Sequence, residues 1–553
     1  MFSFKKHLFI LICYNLVNFQ VFADDSDVLV SIDSGILRGL NREFYYSFEG
    51  IPYAEPPVGE LRFQVSVLYE RKWNGIRNAT VPAPLCLQWS HLQSPPNRLI
   101  GDEDCLYLNV YTPTLDGKKE KLPVLINIHG GAFMFGEPAY GADVILKQNM
   151  ILVSFTYRVG PLGFLSTEDD VISGNFGLKD QLLVLKWVQK NIENFGGDLD
   201  RVTLSGFSAG GASAHLHMLS PSSYGLFKNV MAQSGSALNP WVFQEKAKAK
   251  AFKIGENLDC SVQNSVKLLK CLREKSANEI VEQVQIFLDY LYNPFSPFGV
   301  VVEAEGPNNF QPFLAKNPIE IMKSGNFYKV PVIFSAAEDE GLYPSAEFVS
   351  DLSYLQEIEE SWNHLLPSIL DYKSSVSAES LDEISIIIRQ HYMEDRRLNF
   401  DTFKQFNKIV NDRLFLYGIG RAAKLMQPHT KTYLYFYRFK AKYCVAQLGS
   451  HGIEDLGVAH GDDICIIFNW KIREEIPLTP DETLMAENLA QYYYDFASTS
   501  SARFNDIDIM PLDCDSHVKY LEILNPRECY TKISENFGNA SFWSTLSTKF
   551  NEH

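Results

Sequence analysis

Basic residues are in short supply in this chain. Of its 553 residues, 50 are lysine or arginine and 67 are aspartate or glutamate, a formal net charge of −17 at pH 7. Nucleic-acid binding needs clustered positive charge, so this balance argues against such a partner. Long apolar runs are missing too. No stretch beyond the N-terminal leader described below approaches the ~18 apolar residues that span a bilayer, so no membrane anchor is expected. There is no internal repeat, no low-complexity linker and no clear domain boundary. Residues 24–553 are therefore expected to form one unit, and the 46% hydrophobic content of the whole chain is enough to bury a substantial core.

The chain starts with the pattern of a secretory leader. Lys5 and Lys6 precede the apolar "HLFILICYNLV", and Val21-Phe22-Ala23 offers a small-residue cleavage point, so residues 1–23 are expected to be a signal peptide. Cysteine is sparse, nine in all, and Cys13 falls within that leader. The even remainder suits disulfides in an exported protein. Cys86 with Cys105, and Cys260 with Cys271, are near neighbours that could each close a short loop. Cys514 with Cys529 could close a third, and Cys444 and Cys465 stay unassigned, with buried thiols the alternative. Asn78-Ala79-Thr80 and Asn539-Ala540-Ser541 are glycosylation sequons.

From residue 122 the texture is that of a layered α/β protein. "LPVLINIHG", "MILVSFTYR", "RVTLS", "PVIFSAA" and "TYLYFYRF" are short β-rich runs, the look of strands buried on both faces. "GLKDQLLVLKWVQKNIENF" and residues 209–219 carry helical spacing. This alternation predicts a mostly parallel central sheet flanked by helices, with a small N-terminal β region and helical insertions.

The chemistry centres on "RVTLSGFSAGGASAHLHML", where Gly206 and Gly210 flank Ser208 between a strand and a helix. A serine on a tight strand-to-helix turn has its hydroxyl pushed out at the end of the sheet, and the helix N-terminus aims amides at it. Its hydroxyl needs a base to take the proton. His460, in the glycine-bearing "GVAHGDD", is one candidate and His451, in "GSHGIED", is its rival. Glu338, Asp339 and Glu340 compete for the orienting acid; the glycine after Glu340 suits a sharp turn. "NIHGGAFMFG" follows a strand, so Gly130, Gly131 and Ala132 can offer successive amides to an oxyanion. His215-x-His217 reads as packing rather than a metal pair, and no metal or organic cofactor is implied.

Taken together, "FEGIPYAEPPVGELRF", "EDCLYLNVYTP", "FGGDLDRVTLSGFSAG" and "GVAHGDD" make the chain resemble a type-B carboxylesterase of the carboxylesterase/cholinesterase family over roughly residues 28–545. Its detailed flavour is similar to that of secreted insect esterases. The resemblance implies an α/β-hydrolase fold and hydrolysis of carboxylic esters. It implies Ser208 as nucleophile, Glu340 as acid and His460 as base, with the amides of Gly131, Ala132 and Ala209 as oxyanion hole. It also implies Trp241 as a wall of the acyl pocket, the ion pairs Arg62–Glu103 and Arg158–Asp180, and the bridges Cys86–Cys105 and Cys260–Cys271.

Two departures bear on substrate. Phe207 precedes the serine where choline-handling relatives usually carry glutamate and juvenile-hormone esterases usually carry glutamine. Trp89 is the only tryptophan between Cys86 and Cys105, far from the cation-binding position of the cholinesterases. The expectation is a small, uncharged ester substrate. A hormone- or odorant-specific esterase is the alternative within the class, and a non-catalytic adhesion or binding protein the alternative outside it.

Overall fold

A computed structural model describes residues 28–93, 95–115, 120–139, 143–443, 445–468, 476–513 and 517–548. The expected leader, residues 1–23, lies outside the described residues. So do Cys444 and Cys514.

Seventeen strands occur among the described residues. They are β1 (Val28–Ile32), β2 (Gly35–Asn41), β3 (Tyr46–Pro52), β4 (Ile76–Asn78), β5 (Gln88–Trp89), β6 (Leu99–Ile100), β7 (Tyr107–Thr112), β8 (Leu122–Ile128), β9 (Ile151–Phe155), β10 (Gly197–Phe207), β11 (Asn229–Gln233), β12 (Val332–Ala337), β13 (Thr432–Tyr437), β14 (Arg503–Phe504), β15 (Ile507–Asp508), β16 (Val518–Asn525) and β17 (Glu528–Ser534). One large sheet has the order β1-β2-β3-β7-β9-β8-β10-β11-β12-β13-β16-β17, with β4 beside β2. From β9 to β16 every neighbouring pair is parallel; the pairs outside that stretch of the order are antiparallel, while β4 runs parallel to β2.

The continuous apolar runs follow from burial on both faces. In β8, Val124, Ile126 and Ile128 join one core cluster while Leu125 joins the other. In β12, Val332 and Phe334 face the first cluster and Ile333 the second. This is the two-residue alternation of a pleated strand whose neighbours cover both sides. Helices Phe176–Asn191 and Ala209–Leu219 cover the first face. Helix Pro480–Thr499 covers the second; a Thr479–Glu482 capping box and Pro480 in its first turn start it.

Two ion pairs fix loops to this frame. Arg62 holds Glu103 through two hydrogen bonds, Nη2 to Oε2 at 2.7 Å among them. Arg158 grips Asp180 from Nε and Nη2, both at 2.8 Å, with Asp180 fully buried. Bidentate geometry of this kind is the strong form of the arginine–carboxylate contact. Cys86 is bonded to Cys105 and Cys260 to Cys271. The third bridge is corrected: Cys529 is a buried thiol on β17, not a disulfide partner of Cys514. It sits opposite Ile523 and packs in the second core cluster, which favours an uncharged side chain, and burial pushes its thiol pKa up. No helix among the described residues is long and apolar enough to cross a membrane.

Candidate active site

Four loops meet at the carboxyl ends of the parallel strands, where open α/β sheets hold their ligands. They follow β8, β10, β12 and β13.

Ser208 caps the helix after β10 with φ 58° and ψ −120°, a conformation that strains any residue bearing a Cβ. Its amide donates to Gln233 O on β11 at 2.8 Å, and its carbonyl accepts from Ala212 N at 2.9 Å. The flanking glycines have a steric cause. A Cβ on Gly206 would collide with the Gly210 carbonyl, and one on Gly210 with the Ile128 carbonyl of β8. Strand and helix can approach this closely only without those side chains.

The loop after β8 lies directly against the serine. A Cβ on Gly130 would stand 3.0 Å from Ser208 Cβ. Gly131, Ala132 and Phe133 follow with φ of 104°, 56° and 60°, three left-handed residues in a row. Met134 N and Phe135 N both bond back to Gly131 O, at 2.8 and 3.0 Å. His129 braces the start of this loop, its Nδ1 2.8 Å from Gly130 O and its ring stacked on Tyr157. Burial lowers the His129 pKa to about 4, so it is neutral at physiological pH.

The three candidate acids have separate fates. Glu338 pairs with Arg438 on the surface side. Asp339 accepts from Val458 N at 3.1 Å, and its own amide donates to Val458 O at 2.9 Å, which ties the acid turn to the loop carrying His460. Burial raises the Asp339 pKa to about 6. Glu340 is fully buried; Oε1 accepts from Ala337 N at 2.7 Å and Oε2 meets His460 Nδ1. Gly341 allows this turn because a Cβ there would come within 2.5 Å of Asn411 N.

His460 is therefore the histidine brought to the acid. His451 is exposed and stands 4.0 Å from Glu347 instead. Three aromatic rings surround the His460 imidazole: Phe207 at 4.5 Å, Phe415 at 4.6 Å and Tyr343, stacked, at 5.6 Å between centroids. Trp241 is buried beside Phe133, Phe295 and Phe415. Further out, His91 stacks on Tyr292 at 3.9 Å and meets the Tyr343 hydroxyl at 3.4 Å. Trp89 is buried in β5 with the Arg98 guanidinium 5.1 Å over its ring, so that ring face is already covered. Phe415, Tyr343, His91 and His129 were not anticipated from sequence.

The remaining expected sites separate. His217 bonds Ser223 Oγ and Gln181 Oε1, while His215 Nδ1 accepts from Ala237 N; both rings are fully buried, and burial lowers each pKa to about 3. Asn78 is exposed on the edge strand β4. Asn539 is engaged: its Nδ2 bonds Tyr392 Oη and His391 Nε2, each at 2.9 Å.

A sequence model of the carboxylesterase family matches residues 26–542, nearly the whole described region. The chain belongs to the carboxylesterase family. This carboxylesterase is a carboxylic ester hydrolase, and several insect esterases are similar to it. Venom carboxylesterase-6 of Apis mellifera is 36% identical over 559 residues, 99% of each chain. Esterase-5A of Drosophila miranda is 37% identical over 513 residues, covering 90% of this chain and 91% of its own. The crystal structure of juvenile hormone esterase from Manduca sexta, with OTFP covalently attached, superposes with a TM-score of 0.79 at 24% identity, covering 94% of this carboxylesterase and 99% of that chain. That superposition carries the α/β-hydrolase fold alone.

Proposed function

We propose that residues 24–553 act as one secreted catalytic unit that hydrolyses small, uncharged, apolar esters through an acyl-enzyme on Ser208. In this reading His460 takes the Ser208 proton as the hydroxyl attacks the ester carbonyl. Glu340 orients the imidazole and balances its charge. The amides of Gly131, Ala132 and Ala209 receive the oxyanion, each donor supplying ~3 kcal/mol in comparable sites. His460 then protonates the departing alcohol and activates the water that releases the acid. No step needs a metal or an organic cofactor.

The observation that carries this reading is the His460 Nδ1–Glu340 Oε2 hydrogen bond at the carboxyl ends of the parallel strands, where Ser208 sits on its strained turn. Support for apolar substrates comes from the rings around His460 and from Phe207, which gives an aromatic face where an acid would draw a cation. Support for secretion comes from the leader pattern and from a relative named for venom. The test is Ser208→Ala, which keeps the fold and lowers kcat by ~10⁴-fold or more on p-nitrophenyl esters. A variant with near-normal turnover contradicts the assignment.

A further inference from the structure

Helix Phe403–Asn411 runs into helix Tyr417–Met426 through one wide turn at Asp412–Leu416. There Tyr417 N reaches back five residues to Asp412 O, a π-helical bond. Such turns are uncommon and cluster at functional sites. The extra residue shifts the helix phase and misaligns nearby carbonyls, which need partners when buried.

Here the partners come from one short segment. Asn239 Nδ2 donates to Leu414 O at 2.7 Å and to Phe415 O at 2.9 Å. Trp241 Nε1 donates to Leu414 O at 2.8 Å. Asn239 Oδ1 accepts from Ser236 N at 2.7 Å and Ser236 Oγ at 2.8 Å. The fully buried Asn239 amide thus uses both donors and both acceptor positions. The helix is also pressed tightly onto this segment, since a Cβ on Gly418 would lie 2.9 Å from Asn239 N. The segment begins beside the nucleophile, where Gln233 O accepts from Ser208 N.

The wide turn has one consequence in the site. It presents the Phe415 ring 4.6 Å from His460 and 6.0 Å from Trp241. We propose that Asn239 is a positioning residue that, by holding the π-turn, sets where Phe415 stands and so limits the acyl chain the enzyme accepts. This rests on the acyl-side reading of Trp241. Asn239 touches neither nucleophile nor base through its side chain; it acts through Phe415.

The test is a double-mutant cycle read as acyl-length selectivity, the ratio of kcat/KM for p-nitrophenyl hexanoate to that for p-nitrophenyl acetate. A merely structural residue changes stability but leaves this ratio alone. Phe415→Ala opens the acyl side and is expected to raise the ratio at least fivefold. Asn239→Ala is expected to raise it by a similar factor, and the double variant no further, because both act through one ring. Asn239→Ser serves in place of Asn239→Ala if the latter does not accumulate as folded protein. A ratio within twofold of wild type in the Asn239 variant overturns the proposal, as does a double variant whose two effects multiply. Trp241→Ala is measured alongside. An unchanged ratio there overturns the acyl-side reading, whereas the coupling of Asn239 to Phe415 is still decided by the cycle.

Discussion

His460 Nδ1 meets Glu340 Oε2 across 120 residues of chain. The contact joins the loop after β13 to the turn after β12, and Asp339 stitches the same two loops through the backbone of Val458. His460→Gln should therefore lower kcat by ~10³–10⁴-fold with no large change in KM. His451→Gln should retain wild-type turnover, because that ring is exposed and faces Glu347. Steady-state kinetics on one chromogenic ester decides it, and the reverse ranking contradicts the choice of base.

Substrate charge offers an independent check. Phe207 lies 4.5 Å from the His460 ring. Its face buries apolar surface at ~25 cal/mol per Å², while a cation here loses water and gains no carboxylate beside the nucleophile. An uncharged thioester should exceed butyrylthiocholine in kcat/KM by at least roughly tenfold, about 1.4 kcal/mol. Phe207→Glu should narrow that gap. A wild-type preference for the choline ester contradicts the pocket reading and leaves the triad standing.

Asp463 gives a pH signature. It is fully buried, accepts from Tyr435 Oη at 2.8 Å, and burial drives its carboxyl from 3.8 up to about 7, with the Glu340 charge adding to the rise. A carboxyl whose folded pKa is raised keeps its proton in the folded state after the unfolded chain has lost it. Its contribution to stability is therefore largest below about pH 4, declines as pH rises toward 7, and is flat above. Asp463→Asn should remove this decline, a slope change of up to ~1.4 kcal/mol per pH unit for one proton. Urea unfolding between pH 4.5 and 8 measures it; an identical slope in wild type and variant contradicts the argument.

The two sequons should differ. Asn78 is exposed on an edge strand, whereas the Asn539 amide already bonds Tyr392 Oη, which in turn receives Trp543 Nε1 at 2.8 Å and donates to Asp412. A glycan on Asn539 Nδ2 would replace one of the two amide hydrogens this network uses. Glycopeptide mapping of protein secreted from insect cells should find sugar on Asn78 and unmodified Asn539. An occupied Asn539 contradicts the reading.

The sheet was legible because burial on both faces writes continuous β-branched runs into β8, β10 and β12. The elbow was legible because close packing there tolerates only glycine at 206 and 210. The choice among Glu338, Asp339 and Glu340 was not readable from local pattern. It depends on Arg438, Val458 and His460, each about a hundred residues away; the glycine after Glu340 hinted at a turn, and the family resemblance pointed to Glu340. Phe415 was hidden for another reason: ordinary 3.6-residue spacing carries no sign of the wide turn that places it. Cys529 misled because nearness in sequence says nothing of the direction a strand side chain faces.

The central claim is that one serine, Ser208, is the nucleophile. A fluorophosphonate probe tests it most directly, since it captures only a serine activated by a base. Intact-mass analysis and peptide mapping after labelling should show one adduct per chain, on the peptide carrying Ser208, with loss of esterase activity in step with labelling. The His460→Gln variant should label far more slowly. An adduct on a different serine, or full labelling with activity retained, contradicts the account.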